Sequence, residues 1–126
     1  MPPARFLIPG LLLLTAAGPA PLPAERFTKA MDAAMGRMMT DMHVPSSGDV
    51  DRDFVAMMIP HHQGAIDMAV AQIQYGKDPV LKRIAQEIIV EQQQEIAAMR
   101  MAVGQPLPPS VPVPTQPALS HQDHRP

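Results

Sequence analysis

Cysteine is absent from the 126-residue chain. That absence excludes disulfide frameworks, thiolate nucleophiles, iron–sulfur clusters and cysteine-type zinc sites. Aromatic residues make up only 3% of the chain, three Phe and one Tyr with no Trp, so there is no set of stacking platforms for nucleobases. Charge is sparse too. Ten Lys and Arg against 12 Asp and Glu leave a net charge of −2. Without a basic cluster, the electrostatic footprint of a nucleic-acid-binding protein is missing. No apolar run reaches the roughly 20 residues needed to cross a bilayer core of about 30 Å. The stretch Phe6 to Leu14 has only nine. No segment alternates with period two, so no sheet is expected.

Proline is plentiful but segregated. Of 16 prolines, six precede residue 25, seven follow residue 104, and only Pro45, Pro60 and Pro79 lie between. The foldable part is therefore residues 25–104, enough for a small helical core and too little for a multidomain enzyme. Residues 1–24 read as a signal peptide, with Arg5 as the positive region, Phe6 to Leu14 as the apolar region and a run of small residues and prolines after it. The mature chain is expected to start between Gly18 and Glu25, to carry no membrane span, and to be periplasmic or secreted. Residues 105–126 read as a Pro-rich disordered tail. Its end, Ser120 to His124, holds His121, Asp123 and His124, a donor set for a weak Cu(II) or Zn(II) site.

Between these ends, apolar residues recur at helical spacing from Glu25 to His43, and Val44 to Gly48 stops that segment. Asp49 or Asp51 can cap a second helix that runs to about Tyr75, with Gly76 placed for a left-handed C-terminal turn. Asp78 followed by Pro79 caps a third helix, which Gly104 closes after Val103. The fold class is all-α, with three main helices.

The composition that stands out is methionine, 11 of 126 residues. At about 100° per residue, Met31, Met35, Met38, Met39 and Met42 share one stripe of the first helix, and His43 lies beside Met39. On the second helix Met57, Met58, His61, His62 and Met68 gather around Phe54 and Ala65. The inward face of the third helix reads Leu81, Ile84, Ile88, Ile96 and Met99, with Gln92 and Glu95 in its middle. Single methionines usually fill core gaps. A concentration of thioether and imidazole on facing stripes has a chemical reading instead. Uncharged soft donors suit Cu(I) and, by the same softness, Ag(I), and they survive in an oxidising compartment where thiols do not. Met58-Ile59-Pro60-His61-His62 is the sharpest element, since Met57 with His61 and Met58 with His62 are each one turn apart. Pro60 frees the carbonyl of Ala56 and favours a local opening of the helix.

Other constellations fail. Asp49 to Asp53 begins like a calcium loop, but Phe54 stands where the turn glycine belongs and Pro60 where the bidentate glutamate belongs. Glu91 and Glu95 lack the Glu-x-x-His partners of a di-iron site. No motif proposes a catalytic cycle, so the chain is not read as an enzyme.

The runs Asp51-x-Asp53-Phe54, Met57 to Ala69, Ala85-x-Glu87-Ile88-Ile89 and Gln92-x-x-Glu95-Ile96-x-x-Met99 resemble the domain of unknown function 305 family. The resemblance covers about residues 30–103. It implies a ferritin-like helical bundle in an exported bacterial protein, and some family members are Met/His-rich periplasmic proteins that bind copper and silver. It places functional positions at Met58, His61, His62 and Met68, and likens Met35, Met38, Met39 and Met42 to a Met-rich helix that often precedes them. Longer members carry two copies of the unit, so a lone unit is expected to complete its bundle as a homodimer. Many members carry a tryptophan near Met101, which this chain lacks. The function expected is Cu(I) or Ag(I) binding for buffering, delivery or resistance, with a copper exporter or copper oxidase as partner and with Gln92 and Glu95 orienting a histidine. The rival expectation is a helical interaction module whose Met-rich face takes a partner protein.

Overall fold

The computed structural model describes residues 20–107, and the described residues form three helices and no strand. They are α1 (Pro23–Asp41), α2 (Val50–Tyr75) and α3 (Pro79–Ala102). The fold is thus all-α, and no helix of the described residues is long and apolar enough to cross a membrane. Residues 1–19 of the expected signal peptide and residues 108–126 of the expected tail lie outside the described residues, whereas Pro23 and Ala24 already belong to α1.

Each helix starts where local chemistry satisfies its free amides. Pro23 occupies the first turn of α1, where a missing N–H costs nothing. The Glu25 carboxylate accepts from the amide of Leu22 at 3.1 Å. Asp49, rather than Asp51, caps α2, accepting from the amides of Asp51 and Arg52 at 3.0 and 3.2 Å. Asp78 does the same for α3 at Val80 and Leu81. Gly48 and Gly104 take positive φ, 85° and 71°. Gly76 does not; it is extended, with φ −68° and ψ 158°, because the chain turns straight into the Asp78 cap instead of curling back over α2. Pro60 sits within α2, which stays helical on both sides of it.

The α1–α2 connection is held by Asp53. Its carboxylate accepts from the Ser46 hydroxyl at 2.5 Å and from the Ser47 amide at 2.7 Å. These bonds, the Ser46 hydroxyl foremost, hold the carboxyl below its ordinary value. A carboxylate favoured in the folded state adds stability that is complete above its unfolded value near pH 4 and is lost as pH falls through the lowered folded value. Asp53→Asn should therefore melt at a lower temperature than the parent at neutral pH. The difference between them should close as the pH is taken below about 4. Thermal melts of both chains from pH 7 downward check this, and a pH-independent difference would show that the charge plays no part.

Helix α2 is the centre of the fold. Both α1 and α3 pack on it, and the backbones of α1 and α3 do not approach each other. The core is the α2–α3 seam, where Ile66, Ala69 and Ile73 meet Ala85, Ile89 and Ile96. Ile73 and Ile89 are the largest side chains fully shut off from solvent. The α1–α2 seam is built differently, from small residues. A Cβ added at Gly64 would lie 2.7 Å from Met38 Sδ and 2.9 Å from Met38 Cβ, so Met38 rests directly on the backbone of α2. Ala34 is buried on α1, and Ala71 is buried seven residues beyond Gly64. Arg37 and Asp67 close one edge of this seam with an ion pair of 2.8 Å. Both are partly exposed, so its energetic contribution is small, but it fixes which way α1 faces.

The observed burial differs from the sequence expectation in a systematic way. On α2 the expected inner face is the stripe Phe54, Met57, His61, Ala65 and Met68 with Met58 and His62 at its edge; of these only His62 is buried, beside Val55, Ile66, Ala69 and Ile73, on a face turned by about 100° from the middle of the stripe. On α3, Leu81 and Ile84 are exposed, while Ile96 is buried as expected and is joined in the core by Ala85 and Ile89. The reason is geometric. Two neighbours grip α2 on opposite flanks, so its buried stripes lie to either side of the apolar one, which faces an open groove.

Candidate metal-binding face

That groove has α2 as its floor and α1 and α3 as its walls. Phe27 and Met31 line it from α1, Ala65 and Met68 from α2, Leu81 and Ile84 from α3, around a space of about 340 Å³. The opposite side of α2 carries Gln63, which donates to Asp67 at 3.0 Å, and the Arg37–Asp67 pair. One side of the layer is polar and the other is thioether, aliphatic and aromatic.

The methionines fall mostly on the groove side. Since Arg37 marks the polar edge of α1, Met35 and Met39, some 160° or more away around the helix, lie on the groove edge. They are 44% and 55% exposed, and Met57 on α2 is 41% exposed. Met31, Met38, Met42, Met58, Met68 and Met99 are half-buried, and no described methionine is buried. Of the half-buried set, Met38 is committed to Gly64, and Met99 packs on the α2–α3 core. His43, just past the end of α1, is exposed, with Nδ1 3.4 Å from the carbonyl of Met39.

The adjacent histidines part company. His61 is exposed on the groove stripe. His62 is buried at 8% exposure and turns toward α3. Its Nδ1 donates to the carbonyl of Met58 at 2.8 Å, and its Nε2 lies 2.6 Å from Glu95 Oε2. Gln92 donates to the same Glu95 oxygen at 3.4 Å. The carbonyl of Met58 can only accept, so Nδ1 carries a proton, and Nε2 is engaged by Glu95. With both ring nitrogens held inside the α2–α3 contact, neither is turned toward the groove. The two rings meet edge to face with centroids 5.8 Å apart. Among the described residues, no three His, Asp or Glu side chains gather as a metal-ligand group. His121 and His124 lie outside the described residues.

Two contacts were not read from the sequence. Gly64 was visible as a glycine inside a helical pattern with no capping role, which is the usual mark of a close approach. The Arg37–Asp67 pair had no such signal, because it joins helices whose register only the fold sets.

Three helices packed side by side, with one soft apolar face left open, define a small all-helical module rather than a closed globule. The sequence profile of the family described as Domain of unknown function (DUF305) matches residues 14–103, and the chain belongs to that family. It is also similar to an uncharacterized protein of Acanthamoeba polyphaga mimivirus, 43% identical over 49 residues, which is 39% of this chain and 32% of that protein. The chain thus spans about a third of the length of that relative. No solved structure matches the chain.

Proposed function

We propose that the chain binds Cu(I), and Ag(I) by the same chemistry, through the thioethers of the open face together with His61, and that it serves copper buffering, delivery or resistance outside the inner membrane. The observation that supports this reading is where methionine sits. If methionine were present as core filler, it would occupy the α2–α3 seam. The buried residues of that seam are isoleucine and alanine, with Met99 the one methionine packed against them, while Met35, Met39 and Met57 stand at the surface. Soft neutral donors grouped on a solvent-accessible face match the preference of Cu(I). A copper exporter or copper oxidase is the partner class that such a role calls for.

The two histidines take different parts in this reading. His61 is a ligand, and His62 is a clamp between α2 and α3. His61→Ala should weaken Cu(I) binding about tenfold, ~1.4 kcal/mol, with an unchanged melting temperature. His62→Ala should cost about 1–3 kcal/mol of stability by removing a buried ring and its bond to Glu95, and should leave Cu(I) affinity within about threefold. Anaerobic titration against a competing Cu(I) chelator, with thermal melts of the same samples, separates the two. The reverse pattern would move the site to His62.

A second reading, a helical module that docks a partner protein without metal, is favoured by the exposure of Phe54, Leu81 and Ile84 on the same face. Such a module would keep its partner in the presence of chelator.

A further inference from the structure

The open face carries more apolar surface than a lone helical layer needs. Phe54 and Leu81 are 52% and 51% exposed, and Ile84 is 43% exposed, whereas the buried core among the described residues is nine small or branched side chains. None of the groove-facing positions of α2, from Phe54 through Met57, His61, Ala65 and Met68 to Gln72, is Asp, Glu, Lys or Arg. A large side chain offers on the order of 200 Å². The half-exposed Met35, Met39, Phe54, Met57, Leu81 and Ile84 therefore present ~600 Å². The partly exposed lining of the groove adds ~200 Å² on the same basis. The sum, about 800 Å² per copy, is what one partner contributes to a standard stable interface. It also exceeds the few hundred Å² at which an exposed apolar patch marks an interaction site.

We infer that a second copy of this chain covers the open face, pairing α2 against α2 about a two-fold axis that passes near Ala65. Ala65 is the small residue at the middle of the stripe, with Phe54 and Met57 toward one end and Met68 and Gln72 toward the other. A symmetric crossing at Ala65 lets the two α2 helices approach closely. It sets the bulky end of each stripe against the end of the other that holds Met68 and Gln72. The two grooves then close on each other, and six helices enclose one apolar layer. A self-complementary patch of this kind gives a closed dimer and not a filament. Pairing also brings the thioethers of two copies into one interface. That consequence rests on the metal reading above, whereas the pairing itself does not.

The test is the mass of the full chain in solution by sedimentation equilibrium, with a Cu(I) chelator present, at concentrations up to about 100 μM. The expected result is twice the chain mass. Leu81→Glu with Ile84→Glu should give a monomer of undiminished helicity, because both positions are exposed within one copy. Val90→Glu, equally exposed but on the far side of α3, should remain a dimer. A monomeric parent would overturn the inference, whether the face is then covered by the segment after residue 107 or left bare. A double variant that still dimerises would overturn it as well. Neither outcome touches the Cu(I) titration, so the two readings fail separately.

Discussion

Replacing Met35, Met39, Met58 and Met68 together by leucine is expected to lower Cu(I) and Ag(I) affinity by at least about 100-fold, ~2.8 kcal/mol, while the far-ultraviolet circular dichroism stays that of a helical protein. Leucine and methionine have similar volume, and such swaps usually cost under about 1.5 kcal/mol each even in a packed core. Here the cost should be lower still, since none of the four is buried and two of them are exposed. What the substitution removes is four sulfur donors. Zn(II) should bind weakly to parent and variant alike, because thioether is a poor ligand for it. If methionine served packing alone, the leucine variant would keep whatever metal affinity the parent has. An unchanged Cu(I) affinity in a folded quadruple variant would end the thioether reading.

The second large effect concerns the seam that carries the Met-rich helix. Gly36 and Gly64 both lie inside helices, where glycine ordinarily costs about 1 kcal/mol relative to alanine. Their surroundings differ. A Cβ at Gly36 meets nothing within 4 Å, whereas one at Gly64 falls 2.9 Å from Met38 Cβ, an atom that cannot yield unless α1 moves. Gly36→Ala should therefore stabilise the chain by about 0.5–1 kcal/mol. Gly64→Ala should lose that gain and more, since forcing extra volume into a fitted contact costs about 1–3 kcal/mol. Gly64→Val should be worse, freeing α1 from α2 and exposing it to protease. Denaturant melts of the three variants, with limited proteolysis of the last, check the sign at each position. A stabilised Gly64→Ala would mean that α1 does not rest on α2 in this register.

Much of the fold was legible because it is local. The acid-then-proline start of α3 at Asp78-Pro79, the Asp49 cap, and the stops at Gly48 and Gly104 depend on neighbours in sequence, and each appears where the residues ask for it. Which face of each helix would be buried was less legible. Periodicity finds the apolar stripe of α2, but it cannot see that two partners grip the flanks of that helix. The side chains it marks as inner, Phe54 and Met57, end at the groove, and buried positions pass to Val55, Ile66 and Ile73. The same turn explains the histidines. Adjacent residues on a helix point about 100° apart, so of His61 and His62 only one can face the groove. The choice falls to Glu95, which sits 33 residues away from His62 in sequence and 2.6 Å away in space. The family was legible from the Met57 to Ala69 run, and its profile covers residues 14–103.

Whether thioether sulfur holds the metal can be read at the metal itself. Copper K-edge X-ray absorption on the full chain, loaded anaerobically with sub-stoichiometric Cu(I), reads the first coordination shell directly. The expected shell is dominated by sulfur with a single imidazole nitrogen, and that nitrogen should be lost in His61→Ala. In a chain without cysteine, any sulfur in that shell comes from methionine. A shell of nitrogen and oxygen alone would contradict thioether binding.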